Sequence, residues 1–359
     1  MTTRTQTLAR AADLRAQFET AGAVPVEPPI LQPAETLLDL YGEDIRARAY
    51  VTSDALRGEQ MLRPDFTVPV VQMHMAHGAD PARYTYSGEV FRRQEHDPDR
   101  ANEFIQVGYE VFDRADPAAA DAEVFALFAQ VVAPLNLRAV TGDIGVLMAA
   151  VRGLKTTEPR KAALLRHIWR PRRFRALIDR YAGRKPPPPA RARLLADGAA
   201  CTTPLTGKRT QAEIDARIEA LRADAAAPPI AGADVDLLDA LLNVRETLPY
   251  ALSQLRDIAV DMPTITAAVD RIEARSAALA ARNVDVEALP FEANFGRTSM
   301  EYYDGFVFGF FNPTRADVPA VATGGRYDAL TRRLGQGAEI PAVGGVLRPD
   351  LMLDLEVSG

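Results

Sequence analysis

The sequence predicts an α+β fold: an antiparallel sheet flanked by helices and interrupted by a helical insertion. Residues 1–150 and 285–359 carry short alternating or apolar runs bounded by Gly and Pro, the pattern of strands. Residues 151–284 are instead rich in Ala, Arg and Leu at helical spacing, broken by Pro186–Pro189 and by a Gly/Pro/Thr stretch at 197–208. Strand-rich ends around a helical middle point to one discontinuous domain with an insertion, consistent with about two domains at roughly 150 residues each in a 359-residue chain.

Each element has a local reason. Leu8, Ala11, Leu14 and Phe18 make residues 5–22 an amphipathic helix closed by Gly22. The prolines of Val24–Pro33 force extended backbone, and a short helix or turn follows at 34–40, closed by Gly42. Residues 48–52 and 60–63 read as a hairpin, with a turn ending in Gly58. Thr67 is expected to cap a helix over 67–77, and residues 84–92 and 104–112 form two strands around a charged segment. Asp116-Pro117 is a cap followed by proline at the first helical position, opening a helix that turns Val124, Phe125, Phe128, Val131 and Val132 inward. After the helical middle come strands at 307–311 and 320–323, a Gly324-Gly325 turn, and a helix over 327–334.

Composition excludes several classes. With 47% hydrophobic and 25% charged residues the chain is globular in type rather than disordered or fibrous. Charged residues or proline interrupt the aliphatic stretches, so no membrane span is expected, and the N-terminus lacks the apolar segment of a secretory signal. A cytoplasmic protein is the expectation. One cysteine, Cys201, cannot form an internal disulfide, and four histidines (His74, His77, His96, His167) are too few with it for a structural zinc site. The net charge of −6 hides an uneven distribution. Residues 152–193 hold fourteen Lys/Arg against Glu158 and Asp179, leaving the remainder strongly acidic. Such a block suits nucleic acid, phosphates or an acidic partner, or else a solvated helical face.

The strand 104–112 is the most informative segment. Ile105, Val107, Tyr109 and Val111 share one face; Gln106, Gly108 and Glu110 share the other. A glycine between two long polar residues leaves room for something flat against the backbone, so this face is either a ligand floor or an exposed sheet face. Arg92, ending the preceding strand, is placed to clamp an anion at its rim. Asp65 precedes the helix at Thr67 and suits either a ligand ammonium or a capping role. Thr323–Asp328, with two glycines and Arg326, is a weak phosphate-loop signal or a plain turn.

In this order the pieces resemble the catalytic core of histidyl-tRNA synthetase, a class II aminoacyl-tRNA synthetase. Pro29–Pro33 resembles the class's first motif, whose proline segment lies at a dimer interface; Tyr84–Asp113, with Phe91-Arg92 and Gln106–Phe112, resembles the second. Met300–Tyr303 and Gly324–Asp328 resemble the two histidine-specific motifs. The match covers residues of about 20–115 and 290–355 and leaves the middle unmatched. The resemblance implies that Asp65, Thr67, Gln106, Glu110 and Tyr303 line a histidine pocket, with Arg92, Arg100 and Arg326 as vestigial or regulatory phosphate ligands. It implies no metal and no cofactor.

Departures from the pattern fall on catalysis. Gln94 stands where an acid usually accepts from adenine, with Glu95 one place late; Thr298 stands where a catalytic arginine is usual, with Arg297 beside it. In the third motif Leu351 replaces an ATP-binding arginine, and Arg348 lies three positions earlier. Cations aimed at a phosphoryl centre are worth several kcal/mol each, about 3 kcal/mol by oxyanion-hole magnitudes. Adenylate synthesis is therefore expected to be disabled, leaving no catalytic residue. The sequence stops soon after the third motif, so no anticodon-binding domain and no tRNA recognition are expected.

This combination resembles the regulatory subunits of ATP phosphoribosyltransferase, the first enzyme of histidine biosynthesis. The resemblance implies a self-dimer through the synthetase-like core and assembly with a short-form catalytic subunit. It also implies feedback by histidine as a ligand. Two other readings are a truncated histidyl-type amino-acid-activating enzyme using Arg297 and Arg348, and an RNA-binding module built on the basic block.

Overall fold

The computed structural model describes residues 2–41, 45–94, 100–196, 206–297 and 302–358. Gly42, Glu95, His96, Cys201, Thr298, Met300 and Glu301 lie outside them. Twelve strands are present among the described residues: β1 (Val24–Pro25), β2 (Leu31–Pro33), β3 (Val51–Asp54), β4 (Gly58–Leu62), β5 (Ala82–Phe91), β6 (Glu103–Phe112), β7 (Arg138–Asp143), β8 (Arg245–Thr247), β9 (Pro290–Glu292), β10 (Phe306–Phe311), β11 (Ala322–Arg326) and β12 (Ala342–Leu347). Nine form one sheet in the order β1-β5-β6-β12-β11-β10-β7-β9-β8; β2, β4 and β3 form a second. The centre, from β5 to β7, is antiparallel as expected, while β1 joins β5 and β9 joins β7 in parallel.

Side-chain caps start two of the helices that pack on the sheet, and Asp116 is the one expected from the sequence. Arg4–Thr20 begins in a capping box between Thr3 and Gln6 and buries Ala11, Leu14 and Phe18. The helix Pro117–Val132 is capped by Asp116 Oδ1, which accepts from Ala119 N at 3.0 Å. Its Phe125 ring lies 5.4 to 6.2 Å from Phe306, Phe308 and Phe310 of β10, so one face of the sheet and this helix form the aromatic core. By length and composition Pro117–Leu135 is apolar enough to span a bilayer, contrary to the sequence expectation. Here its apolar face is consumed by the sheet.

The helical middle is tied into this core. The helix Thr266–Ala281 carries Arg275, whose Nη2 donates to Asp143 at 2.8 Å and Nη1 to Asp121 at 3.2 Å. Asp121 also accepts from Arg326 Nε and Nη2 at 3.0 and 2.7 Å. A buried carboxylate thus bridges two buried guanidiniums from distant segments. Removing one member of such a group leaves a charge unpaired, typically at about 3–5 kcal/mol. The end of the stretch read as helical at 151–284 is in fact Gly232–Leu242, the short strand β8, Leu248–Asp261 and Thr266–Ala281. Val244 and Leu248 are buried on either side of β8, which gives the chain a reason to pair there.

The Gly324-Gly325 pair is not a turn. Both residues lie inside β11, where Gly324 pairs Gly345 and Gly325 pairs Gly344 of β12. A Cβ on Gly324 would meet the Phe308 ring at 2.3 Å and one on Gly345 the Phe128 ring at 2.9 Å. On the opposite face, a Cβ on Gly325 would meet the Tyr303 ring at 2.8 Å and one on Gly344 the Glu110 carboxylate at 1.5 Å. Four paired glycines therefore let the aromatic core approach one face and Tyr303 and Glu110 approach the other.

Gly324→Ala is expected to lower unfolding free energy in urea by about 1–3 kcal/mol through overpacking. Gly232→Ala, where nothing lies within 4 Å of the added carbon, is the control and should change it little. Equal effects at the two positions would contradict the packing described.

Candidate functional site

The site is built on the β6 face that carries Gln106, Gly108 and Glu110. Gly108 is not left open for a ligand: Tyr86 of β5, directly across the ladder, lays its ring over the glycine, where a Cβ would lie 2.1 Å from the ring carbon. From there Tyr86 donates its hydroxyl to Glu110 Oε1 at 2.8 Å. Thr67 Oγ1 donates to the same oxygen at 3.0 Å, and Tyr327 donates to Oε2 at 2.6 Å. Glu110 is buried, and three hydroxyls fill three of the roughly four acceptor positions of its carboxylate. One position remains.

Burial pushes Glu110 up from 4.5 to about 7, with the three hydroxyls pulling the other way. Tyr86 and Tyr327 are raised well above the ordinary tyrosine value by burial and by the Glu110 charge, so both remain donors at neutral pH. Tyr303, its ring on Gly325, is likewise raised by burial and then by Glu110. Asp65 raises Tyr303, Tyr86 and Glu110 through its charge, and Arg92 lowers Tyr303, so these groups lie within electrostatic reach of one another. Thr67 is not the helix cap. Asp65 Oδ1 accepts from Val68 N at 3.3 Å, which frees the Thr67 hydroxyl for Glu110.

Gln106, on the same β6 face, is 2% exposed, and its Oε1 has no hydrogen-bond partner among the described residues. A buried amide oxygen left unpaired costs about 1–3 kcal/mol, a cost that a ligand donor would remove. The structure thus gathers Asp65, Thr67, Glu110, Tyr303 and Arg92, with Gln106 on the floor beside Glu110.

The other arginines stand apart. Arg326 shares the Gly324 face of β11, opposite Glu110, and is committed to Asp121, to Asp328 at 3.0 Å and to Pro117 O at 2.8 Å. Its position gives it a structural job in place of the expected anion contact. Arg100 is exposed at the edge of the described segment. Arg92 Nε donates to Pro64 O at 2.6 Å, and its guanidinium lies 5.5 Å from the Phe104 ring, which Arg348 stacks at 3.7 Å. Arg348 is itself paired with Asp350 at 2.7 Å. Arg297 turns to Ile168 O at 2.7 Å and Asn294 Oδ1 at 2.7 Å. Sequence reading missed Tyr86 and Tyr327; the glycine across from Tyr86 was the available signal, taken instead as space for a ligand.

The sheet, its glycine-floored face and the carboxylate between tyrosines define a histidyl-tRNA synthetase-like fold of class II. The family model for histidyl-tRNA synthetase matches residues 3–197 and 192–351, so the helical middle is included. The fold matches a Bacillus halodurans structure titled as an ATP phosphoribosyltransferase regulatory subunit/histidyl-tRNA synthetase (TM-score 0.69, 21% identity, 98% of this chain and 79% of that one). It also matches histidyl-tRNA synthetase from Nostoc sp. PCC 7120 (TM-score 0.65, 16% identity, 98% and 72%). Curated relatives from Brucella anthropi and Brucella abortus, both named ATP phosphoribosyltransferase regulatory subunit, are 34% identical over 354 residues. These alignments cover 92% of this chain and 93% and 92% of the two relatives. The chain belongs to the family of ATP phosphoribosyltransferase regulatory subunits.

The raised Glu110 value has a defined consequence for stability. Below pH 4.5 folded and unfolded chains both hold the proton; between 4.5 and about 7 only the folded chain does, so stability falls as pH rises through this window. Glu110→Gln should remove that contribution. The difference in unfolding free energy between wild type and Glu110→Gln is expected to change by up to about 3 kcal/mol across the window, against the wild type at the upper end. A pH-independent difference would contradict it.

Proposed function

We propose that this chain is a non-catalytic regulatory subunit that activates a short-form ATP phosphoribosyltransferase catalytic subunit and makes it responsive to histidine. Identity of 34% over 92% of the chain to proteins of that name is the observation that carries the role. The site supports the ligand. A histidine side chain placed on the Gln106 face would donate an imidazole N–H to the remaining Glu110 acceptor, and Gln106 Oε1 would take a second donor. Asp65 supplies a carboxylate for the α-ammonium group. Histidine then biases assembly or activity only through a difference in affinity between states.

The positions of the candidate cations argue against the amino-acid-activating reading. Arg348 is neutralised by Asp350, and Arg297 lines a different pocket, sharing no lining residue with the Glu110 group. Part of the basic block is engaged in ion pairs: Arg160 pairs with Asp224 at 2.6 Å, Arg184 with Asp236 at 3.2 Å, Lys185 with Asp179 at 3.1 Å, and Arg175 with Asp239. That weakens it as an RNA surface. A self-dimer through the synthetase-like core is supported by exposed Ile30, Leu31, Val51 and Leu56, which lie on the strands of the small sheet or next to them in sequence. We place the assembly in the cytoplasm.

Reconstitution tests the proposal. Adding the chain to a purified short-form catalytic subunit should raise phosphoribosyl transfer to ATP, and histidine should suppress it. Gln106→Leu, which leaves the hydroxyls around Glu110 in place, should preserve activation and weaken histidine inhibition by about tenfold or more. Failure to activate, or histidine-dependent exchange of pyrophosphate into ATP by the chain alone, would overturn it.

A further inference from the structure

A pocket of about 350 Å³ lies between the helices Pro171–Tyr181 and Gly232–Leu242 and the segment carrying Asn294 and Arg297. That size is at the lower end of small-molecule sites, which run from about 300 to 1,000 Å³. Its walls are Pro171, Phe174, Ile178, Leu238 and Leu242. Its polar groups are Arg175, Asp239, Asn243, Asn294 and Arg297.

Arg297 is the anomaly. It is 2% exposed, yet among the described residues no carboxylate pairs with it. Its Nε is held by Ile168 O, its Nη1 by Asn294 Oδ1, and its guanidinium sits 4.8 Å from the Phe174 ring. Nη2 is buried with no hydrogen-bond partner. Burial without a counter-charge pulls its pKa down to about 10. A buried cation that keeps an unused donor is normally compensated by an anion.

The balance of the lining specifies which anion. Arg175 and Asp239 neutralise one another across the pocket mouth, with Asp179 also beside Arg175 at 3.4 Å. Arg297 is then the one uncompensated charge among the lining residues, and Nη2 is its one nitrogen without any hydrogen-bond partner. One uncompensated positive charge matches a singly charged carboxylate, which the planar guanidinium binds edge-on, better than a phosphate dianion. The five apolar walls call for an apolar body of a few carbons.

We infer that this pocket binds a small organic monocarboxylate with an apolar body, its carboxylate on Arg297 Nη2 and its hydrocarbon against Phe174, Ile178, Leu238 and Leu242. The site is independent of the histidine reading, since it uses none of the residues around Glu110.

Isovalerate is the probe, its methyl signals followed by ligand-detected NMR with the full chain. Wild type should bind it, and inorganic phosphate should fail to displace it. Arg297→Gln should weaken binding about tenfold or more by removing the charged donor. Leu242→Trp, which fills the half-buried side of the pocket and leaves Arg297 intact, should weaken it as strongly and decides the matter if Arg297→Gln does not fold. No binding to wild type, displacement by phosphate, or unchanged affinity in the folded variants would overturn the inference.

Discussion

The constraint on which the structure depends is the absence of side chains at four adjacent sheet positions. Gly324, Gly325, Gly344 and Gly345 pair across β11 and β12, and their alternation serves both faces at once. One face admits Phe308 and Phe128 and closes the aromatic core; the other admits Tyr303 and the Glu110 carboxylate. A methyl group at any of these positions would collide with a neighbour held by the rest of the fold. Core packing and site geometry are therefore set by alternate residues of the same two paired strands.

Glu110 follows from that constraint. A carboxylate this deeply buried persists only with partners, and hydroxyls from β5, β11's end and the helix after Asp65 converge on it. None of the three is a cation. The group is held near its ionisation point rather than locked as a salt bridge, which leaves it responsive to a ligand that brings a donor. Arg326, at the end of β11, faces away from Glu110 and joins Asp121 and Arg275 in fastening the helical middle to the core. Ion pairs fasten one face, while on the other hydroxyls hold the Glu110 carboxylate.

Much of this was legible in the sequence because local chemistry determined it. Asp116-Pro117 could hardly do anything but start a helix, and the two-residue period of 104–112 separated Gln106 and Glu110 from the apolar positions. What was illegible depended on register. Gly108 looked like open floor because nothing local shows that Tyr86 pairs with it, and Gly324-Gly325 looked like a turn because a glycine pair has the same composition in a turn and in a crowded strand. The strands β7, β8 and β9 lack any periodic signal and exist because β10 supplies a partner for β7, β7 for β9 and β9 for β8. Arg297 was noticed only for standing beside a catalytic position; its isolation from any carboxylate is a property of the fold.

The central claim is that the glycine-floored face around Glu110 is the part of the molecule that senses histidine. Hydrogen exchange of the purified chain, with and without saturating L-histidine, tests it directly. The account predicts slowed exchange in residues 65–74, 104–112, 322–328 and 342–347, with 158–242 unchanged. Protection confined to the helical middle, or no protection anywhere, would contradict it.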